Sequence, residues 1–353
     1  MFNQMKLFLI LMLCGALLSS CNNSDSQSES PSAQSTSTKP EEKPVYALIT
    51  KEKSNLYMQK MEEGFETACE EIGVTAACYG PADYSVEAQI EIIEELIESK
   101  VAVIAVAAND EDALQDVLIR AMDQGIIVLS LDSAVNKDSR MLHIQPADPE
   151  KVGRVLIQAA ASMIDNSGTV GIITTTGYAT NQNLWIAWLK QEIEDNPEKY
   201  KDIILLPEVF GNDEEEATIE QTLYLLETYP ELDIIITPSA VSMVAVGNTL
   251  REQDSDVLFT GLGLPAELAD FIEIDKSCPW FYLWNPIDLG YLAAYSAAAL
   301  DKGDILGEPG DRFSAGTLSY RVVSQSGDGG TEVFLGDPVK FDENNIGLWK
   351  TVY

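Results

Sequence analysis

The sequence predicts an α/β protein built of two doubly wound, parallel-sheet domains joined by a hinge. Three observations carry that expectation. From Val45 onward, short and wholly apolar runs alternate with amphipathic stretches, as strands buried on both faces do when helices cover them. The alternation runs through two successive sets of similar size. The 353 residues, at roughly 150 per domain, suffice for two cores.

In the first set, Val45-Tyr46-Ala47-Leu48-Ile49-Thr50 reads as a buried strand. Tyr57, Met61, Phe65, Ala68 and Ile72 follow at helical spacings of three and four. A strand over Val74 to Tyr79 precedes a helix with Val86, Ile90, Ile93 and Ile97 on one face, for which Ser85 is the N-cap. Then come a strand over Val101 to Ala108, a helix from Asp112 to Gln124 stopped by Gly125, and a strand from Ile126 to Leu131. The second set runs helix Glu150 to Ile164, strand Thr169 to Thr174, helix Asn183 to Asp195, strand Ile203 to Val209, helix Glu214 to Thr228, strand Asp233 to Thr237, helix Ala240 to Gln253, and strands Val257 to Gly261 and Trp280 to Leu283. A helix from Leu289 to Leu300 and a Gly-rich, strand-like tail close the chain. That tail is too short for a third domain and is expected to return to the first two. The domain bounds that follow are 44–146 plus 286–320, and 147–285 plus 321–353, with three crossings between them.

The N-terminus is of another kind. Lys6 and the apolar run Leu7 to Leu13, continued by Ala16 to Leu18, make a secretory signal over residues 1–20, too short to span a membrane stably. It ends in Leu18-Ser19-Ser20-Cys21, which resembles the bacterial lipoprotein box and implies lipidation at Cys21. Asn22 to Glu42 contains no large apolar residue and cannot bury enough surface to fold, so residues 21–43 read as a lipidated tether. The expected location is extracytoplasmic, anchored to the membrane by lipid.

Fifty-seven acidic against 22 basic residues give a net charge of -35. That excludes a nucleic-acid partner, which demands cationic neutralisation of phosphates. Catalysis is poorly provided for: there is one histidine, His143, read as a packed hinge-strand residue, and no nucleophile elbow, phosphate loop or zinc motif. The protein reads as no enzyme, and as needing no cofactor or metal. Gly261-Leu262-Gly263 is followed by Pro265 and does not make a dinucleotide loop, and the acidic run Asp213 to Glu216 reads as the first turn of a helix. Cys69 and Cys78 can pair in an exported protein, which spacing alone leaves open, and Cys278 reads as an unpaired thiol. Trp185 and Trp188, three apart, read as core; Trp284 falls at a domain crossover and is a candidate apolar wall of the cleft.

In open parallel sheets, ligands bind beyond the carboxyl ends of the strands. The residues there include Leu48-Ile49-Thr50-Lys51, Leu131-Asp132-Ser133, Asn181-Gln182-Asn183-Leu184-Trp185, Pro238-Ser239-Ala240 and Leu283-Trp284-Asn285. Together with Arg120-Ala121-Met122, Gly125 and the ending Glu343-Asn344-Asn345-Ile346-Gly347, they make the chain from Val45 to Tyr353 resemble the type I periplasmic binding proteins, the sugar-binding subunits of ABC importers. Within that superfamily it is most similar to the autoinducer-2-binding and rhamnose-binding proteins. The resemblance implies a monomer that closes two domains on a small neutral polyhydroxylated ligand and presents the closed form to an ABC permease. It implies ligand contacts at Lys51, Asp132, Gln182, Pro238 and Ala240, with Asn181 and Asn285 standing where the autoinducer-2 receptors carry Asp, and with Trp284 beside them. An Asn donates as well as accepts, whereas a carboxylate only accepts, and more strongly. The two departures therefore leave the ligand open between autoinducer-2 and a rhamnose-type sugar. In that scheme Asp132 accepts from adjacent hydroxyls, Lys51 donates, and Asn181 and Gln182 do both. A sensory module that passes occupancy to a membrane kinase or chemoreceptor is the alternative output.

Overall fold

The computed structural model describes residues 43–353. The expected signal, Cys21 and the rest of the tether up to Glu42 lie outside the described residues.

Strand β1 (Val45–Ile49) leads into helix α1 (Leu56–Ile72), capped by the Asn55 side chain at its start and by Gly73, with φ of 87°, at its end. Only a residue free of a Cβ adopts that left-handed cap at no cost. β2 (Thr75–Tyr79), α2 (Val86–Ser99), β3 (Val103–Val106), α3 (Gln115–Asp123), β4 (Ile127–Leu131) and β5 (Leu142–Ala147) complete the first run. Ser85 caps α2 by accepting from the Ala88 N–H. The second run is α4 (Pro149–Met163), β6 (Ser167–Thr174), α5 (Thr180–Asp195), β7 (Asp202–Leu205), β8 (Val209–Phe210), α6 (Glu215–Thr228), β9 (Leu232–Thr237), α7 (Ala240–Glu252), β10 (Leu258–Gly261), α8 (Pro265–Glu273) and β11 (Trp280–Leu283). Helix α9 (Pro286–Asp301) then returns to α1, and β12 (Arg312–Ser314), β13 (Tyr320–Val322), β14 (Ser324–Gln325), β15 (Thr331–Gly336), β16 (Val339–Asp342) and α10 (Ile346–Trp349) follow.

Two parallel sheets organise two lobes. The first has the order β14-β15-β5-β4-β3-β1-β2, antiparallel only between β14 and β15. The second has the order β10-β9-β6-β7, with β8 beside β6, and β11 and β16 form an antiparallel pair next to it. Strand β3, Val103 to Val106, is buried at every position because helices cover both of its faces. α9 lies against α1 so closely that a Cβ on Gly64 or Gly290 would strike the facing backbone at Ile287 or Met61. The chain crosses between lobes after β5, between β11 and α9, and after β15.

Three expectations are corrected. Residues 321–353 do not all belong to the second lobe. β14 and β15 extend the first sheet, because Val333 enters the core and Glu332 lies opposite His143 in parallel register with β5. The chain crosses only at residues 337–338, and β16 joins β11. The strand read over Ile203 to Val209 is two strands, because Pro207 lacks the N–H that a continuous ladder needs. The turn after Gly261 opens a further helix, α8, in place of a loop: Pro265 sits in its first turn, and Leu268, Phe271 and Ile272 bury one face.

Candidate functional site

The carboxyl ends of strands from both lobes converge on one cavity of about 50 Å³. The first lobe contributes Lys51, which follows β1, Asp132, which follows β4, and Asn55, Tyr57 and Met58 from the start of α1. The second contributes Asn181, Gln182 and Trp185 from the start of α5, Asp213 after β8, Pro238, Ser239 and Ala240 after β9, and Leu262 after β10. Leu283 and Trp284 enter from the crossing between β11 and α9.

Asp132 is the hub. Its backbone is left-handed, with φ of 62°, a conformation that Asp tolerates better than most residues but that still costs energy. Its Oδ2 lies 3.3 Å from the Lys51 ammonium, both side chains being almost wholly buried. Its Oδ1 accepts from the Tyr57 hydroxyl at 3.1 Å, and that hydroxyl accepts from the Trp284 indole N–H at 2.7 Å. Burial, then the charge of Asp132, push the Tyr57 phenol well above its ordinary value, so it remains a donor. Burial alone would lower the Lys51 ammonium; Tyr84, Asp132 and Asp213 outweigh it, and the group is held charged, above its ordinary value. The Lys51 carbonyl is fixed by the buried Asn109 amide at 3.0 Å.

The second lobe faces this hub with groups less fully engaged. Asn181 donates across the cleft to Asp132 Oδ2 at a long 3.4 Å, a weak bond that a ligand hydroxyl can replace. The Gln182 carbonyl oxygen is spent on the Thr174 hydroxyl, at 2.8 Å, and the Thr175 N–H, at 3.1 Å. Its amide protons remain for a ligand. Asp213 accepts from the Ser239 hydroxyl, and burial, partly offset by that bond and by Lys51, raises its pKa. The indole N–H of Trp185 is buried without a partner among the described residues. The Trp185 and Trp284 rings lie 5.6 Å apart and, with Met58, Leu262 and Leu283, form an apolar wall.

Of the residues singled out from sequence, Lys51, Asp132, Asn181, Gln182, Pro238, Ala240 and Trp284 are thus brought together, and Asn285 is not. Its side chain accepts from the Ile287 N–H at 3.0 Å and caps α9, outside the cavity lining. Asn181 and Gln182 lie in the first turn of α5 rather than in a loop before it. Trp185, read as core, and Asp213, read as the first turn of a helix, both line the cavity. Asp213 precedes α6, and the left-handed backbone at Asn212 and Asp213 keeps it out of the helix. In the sequence Tyr57 reads only as an apolar residue on a helix face, and Ser239 only as part of the Pro238 segment. Among the described residues, no group of His, Cys, Asp and Glu is placed to hold a metal ion. His143 is buried in β5, bonded to Ser130 and Gln145, and is pushed down to about 3, first by burial and then by Arg140, so it stays neutral. Cys69, Cys78 and Cys278 are free thiols.

Residues 46–305 match the family described as periplasmic binding protein domain. A solved solute-binding protein of an ABC transporter from Clostridium phytofermentas, with L-rhamnose bound, is 37% identical, superposes with a TM-score of 0.85, and is matched over 88% of this chain and 99% of its own. LsrB from Clostridium saccharobutylicum in complex with AI-2 is 19% identical with a TM-score of 0.79, over 86% of this chain and 98% of its own, a likeness that shows the fold. The curated D-ribose/D-allose-binding protein of Pseudomonas aeruginosa is 28% identical over 165 residues, 43% of this chain and 50% of that relative, so the match spans half of the relative's length.

Proposed function

The chain belongs to the periplasmic binding protein domain family, and from that premise we propose that it is the solute-binding component of an ABC importer, tethered by lipid at Cys21, which takes a neutral rhamnose-type sugar into the interlobe cleft. One observation carries this reading. Around a single cavity, one lobe presents Lys51, Tyr57 and Asp132, the other presents Asn181, Gln182 and Asp213, and an apolar wall of Met58, Trp185, Leu262, Leu283 and Trp284 lies beside them. A deoxysugar has matching faces: a run of hydroxyls that both donate and accept, and a methyl-bearing edge. The rhamnose-bound relative at 37% identity supports the ligand class. Autoinducer-2 is the second choice, supported by the positions of Lys51, Asp132, Gln182, Pro238 and Ala240 and weakened by Asn181 and by the withdrawal of Asn285 to a helix cap.

The mechanism follows from the unequal walls. The ligand first meets the hub on the open first lobe, where the acceptors and donors already stand in place. Closure then brings Gln182, Asp213 and Trp185 onto its other face, and the closed state is favoured by as much as those added contacts are worth. A ligand lacking one of the required hydroxyls would strand a buried polar group at about 1–3 kcal/mol, which is how epimers are told apart.

A thermal-shift series on residues 22–353 tests the reading, with L-rhamnose, autoinducer-2, D-ribose and L-arabinose as ligands. At a concentration about 100-fold above Kd a bound ligand stabilises by about 2.7 kcal/mol, a rise of several degrees. L-Rhamnose is expected to give the largest rise. A folded protein that none of the four stabilises would overturn the sugar reading. A rise with autoinducer-2 alone would move the ligand to the second choice.

A further inference from the structure

We propose that Asp213 is the charge-selecting element of the cleft, confining it to neutral polyols and turning away sugar acids and sugar phosphates, while the Trp185 indole N–H adds a donor for a ligand oxygen without selecting on charge. The inference deepens the sugar-binding reading and rests on it.

Asp213 has little structural reason to be where it is. It does not cap the helix it precedes, whose N-cap is Glu214, itself without a side-chain cap bond. Asn212 and Asp213 both hold left-handed backbone, with φ of 56° and 59°, a conformation that costs non-glycine residues energy and persists only where the surroundings enforce it. The turn carries the carboxylate away from the solvated face of α6 and into the cavity. There the Ser239 hydroxyl, itself the N-cap of α7, holds Oδ1. The second oxygen keeps its acceptor capacity, and Lys51 stands among the groups that stabilise its charge.

The charges of the cavity then do not balance. Lys51 is one cation between two carboxylates, Asp132 from its own lobe and Asp213 from the other. A further negative charge entering this site meets net repulsion in surroundings that water screens poorly. A neutral polyol relieves the site instead, donating an O–H to Asp213. Its lone pairs also supply the acceptor that Trp185 Nε1–H lacks while buried at 2% exposure. Two groups of the second lobe, one wanting a donor and one an acceptor, thus fit a hydroxyl-bearing ring, and of the two it is the Asp213 carboxylate that disfavours an anion.

Calorimetric titration of residues 22–353 with three probes tests this: L-rhamnose, L-rhamnose 1-phosphate, and L-mannuronate, the pyranose of the same configuration carrying carboxylate in place of methyl. The wild type is expected to favour L-rhamnose over both anions by about tenfold or more. Asp213→Asn should weaken L-rhamnose about tenfold, the worth of a charged hydrogen bond, and narrow its lead over at least one anion. Trp185→Phe, which keeps the ring and loses the N–H, should weaken L-rhamnose about fivefold with the lead unchanged. A wild type that binds either anion as tightly as L-rhamnose overturns the inference whatever the variants do. So does an Asp213→Asn protein with unaltered preference. A wild type that binds none of the three overturns the sugar reading itself, and the inference falls with it.

Discussion

The two walls of the cleft are built on different terms. On the first wall the charged and hydroxyl groups that line the cavity are already mated: Lys51 to Asp132 and Tyr57 to Asp132, with Trp284 of the crossing bonded to Tyr57 and the Lys51 carbonyl held by the Asn109 amide. On the second lobe the groups are half engaged: one oxygen of Asp213 is held by Ser239, the Gln182 carbonyl is spent but its amide is not, and the Trp185 N–H has no partner among the described residues. The first wall is a preformed receptor whose ordering cost was met on folding. The second is a lid whose remaining hydrogen bonds form when something lies between the walls. Affinity should therefore depend most on the first wall, and selectivity and closure on the second.

The largest expected effect breaks the first wall. Asp132→Ala removes the hub and should reduce ligand affinity by at least about a hundredfold, as loss of a buried, hydrogen-bonded charge does. It also strands the Lys51 ammonium, so melting without ligand should fall as well. The double variant Lys51→Met/Asp132→Ala should recover most of that melting temperature and none of the binding, which separates the folding role of the pair from its ligand role. A smaller effect is expected where the walls touch. Asn181→Asp sets a carboxylate 3–4 Å from Asp132, where the amide now donates at 3.4 Å, and should cost about tenfold in affinity through resisted closure. Calorimetry on the two variants gives both numbers.

Away from the cleft, the hinge side of the first lobe carries its own titration. Burial, then the nearby charge of Asp328, raises Glu332 from 4.5 to about 7. A carboxyl raised on folding binds its proton more tightly in the native state, so its contribution to stability declines as pH rises from 4.5 toward 7 and stays lost above that. Glu332→Gln should therefore stabilise the protein at pH 8 by about 1–2 kcal/mol once partial exposure is allowed for, read as a higher melting temperature, with the gain shrinking as pH falls and gone below about pH 4. The smallest effect concerns a residue outside both walls. Asn285→Ala should cost about 1 kcal/mol as a lost N-cap, a few degrees of melting, with ligand affinity intact; a loss of affinity would return Asn285 to the site.

Much of this organisation was legible because its signals are local. Fully apolar runs such as Val103 to Val106 announce buried strands, and Lys51, Asp132 and Pro238 stand immediately beyond strand ends, where ligand residues gather. What was not legible depends on tertiary context. Nothing in Asp213-Glu214-Glu215-Glu216 distinguishes a residue turned inward by left-handed backbone from the three that face solvent. Tyr57 and Trp185 fall on apolar helix faces like core residues, and only the opposite lobe makes those faces part of a cavity. Asn285 stands beside Trp284 in sequence, yet its side chain is claimed by the first turn of α9. The return of β15 to the first sheet is a long-range pairing with β5 that neither segment foretells alone. Helix α8, by contrast, does carry a local signal, in Leu268, Phe271 and Ile272 behind the helix-starting Pro265.

The central claim, that a mated first wall receives a neutral sugar and a half-mated second wall closes over it, is tested most directly by calorimetric titration of L-rhamnose into residues 22–353 and into the double variant Lys51→Met/Asp132→Ala. The wild type should show saturable binding at one site per chain, and the folded double variant no measurable heat. Binding that survives in the double variant, or a folded wild type that takes up no L-rhamnose, would contradict it.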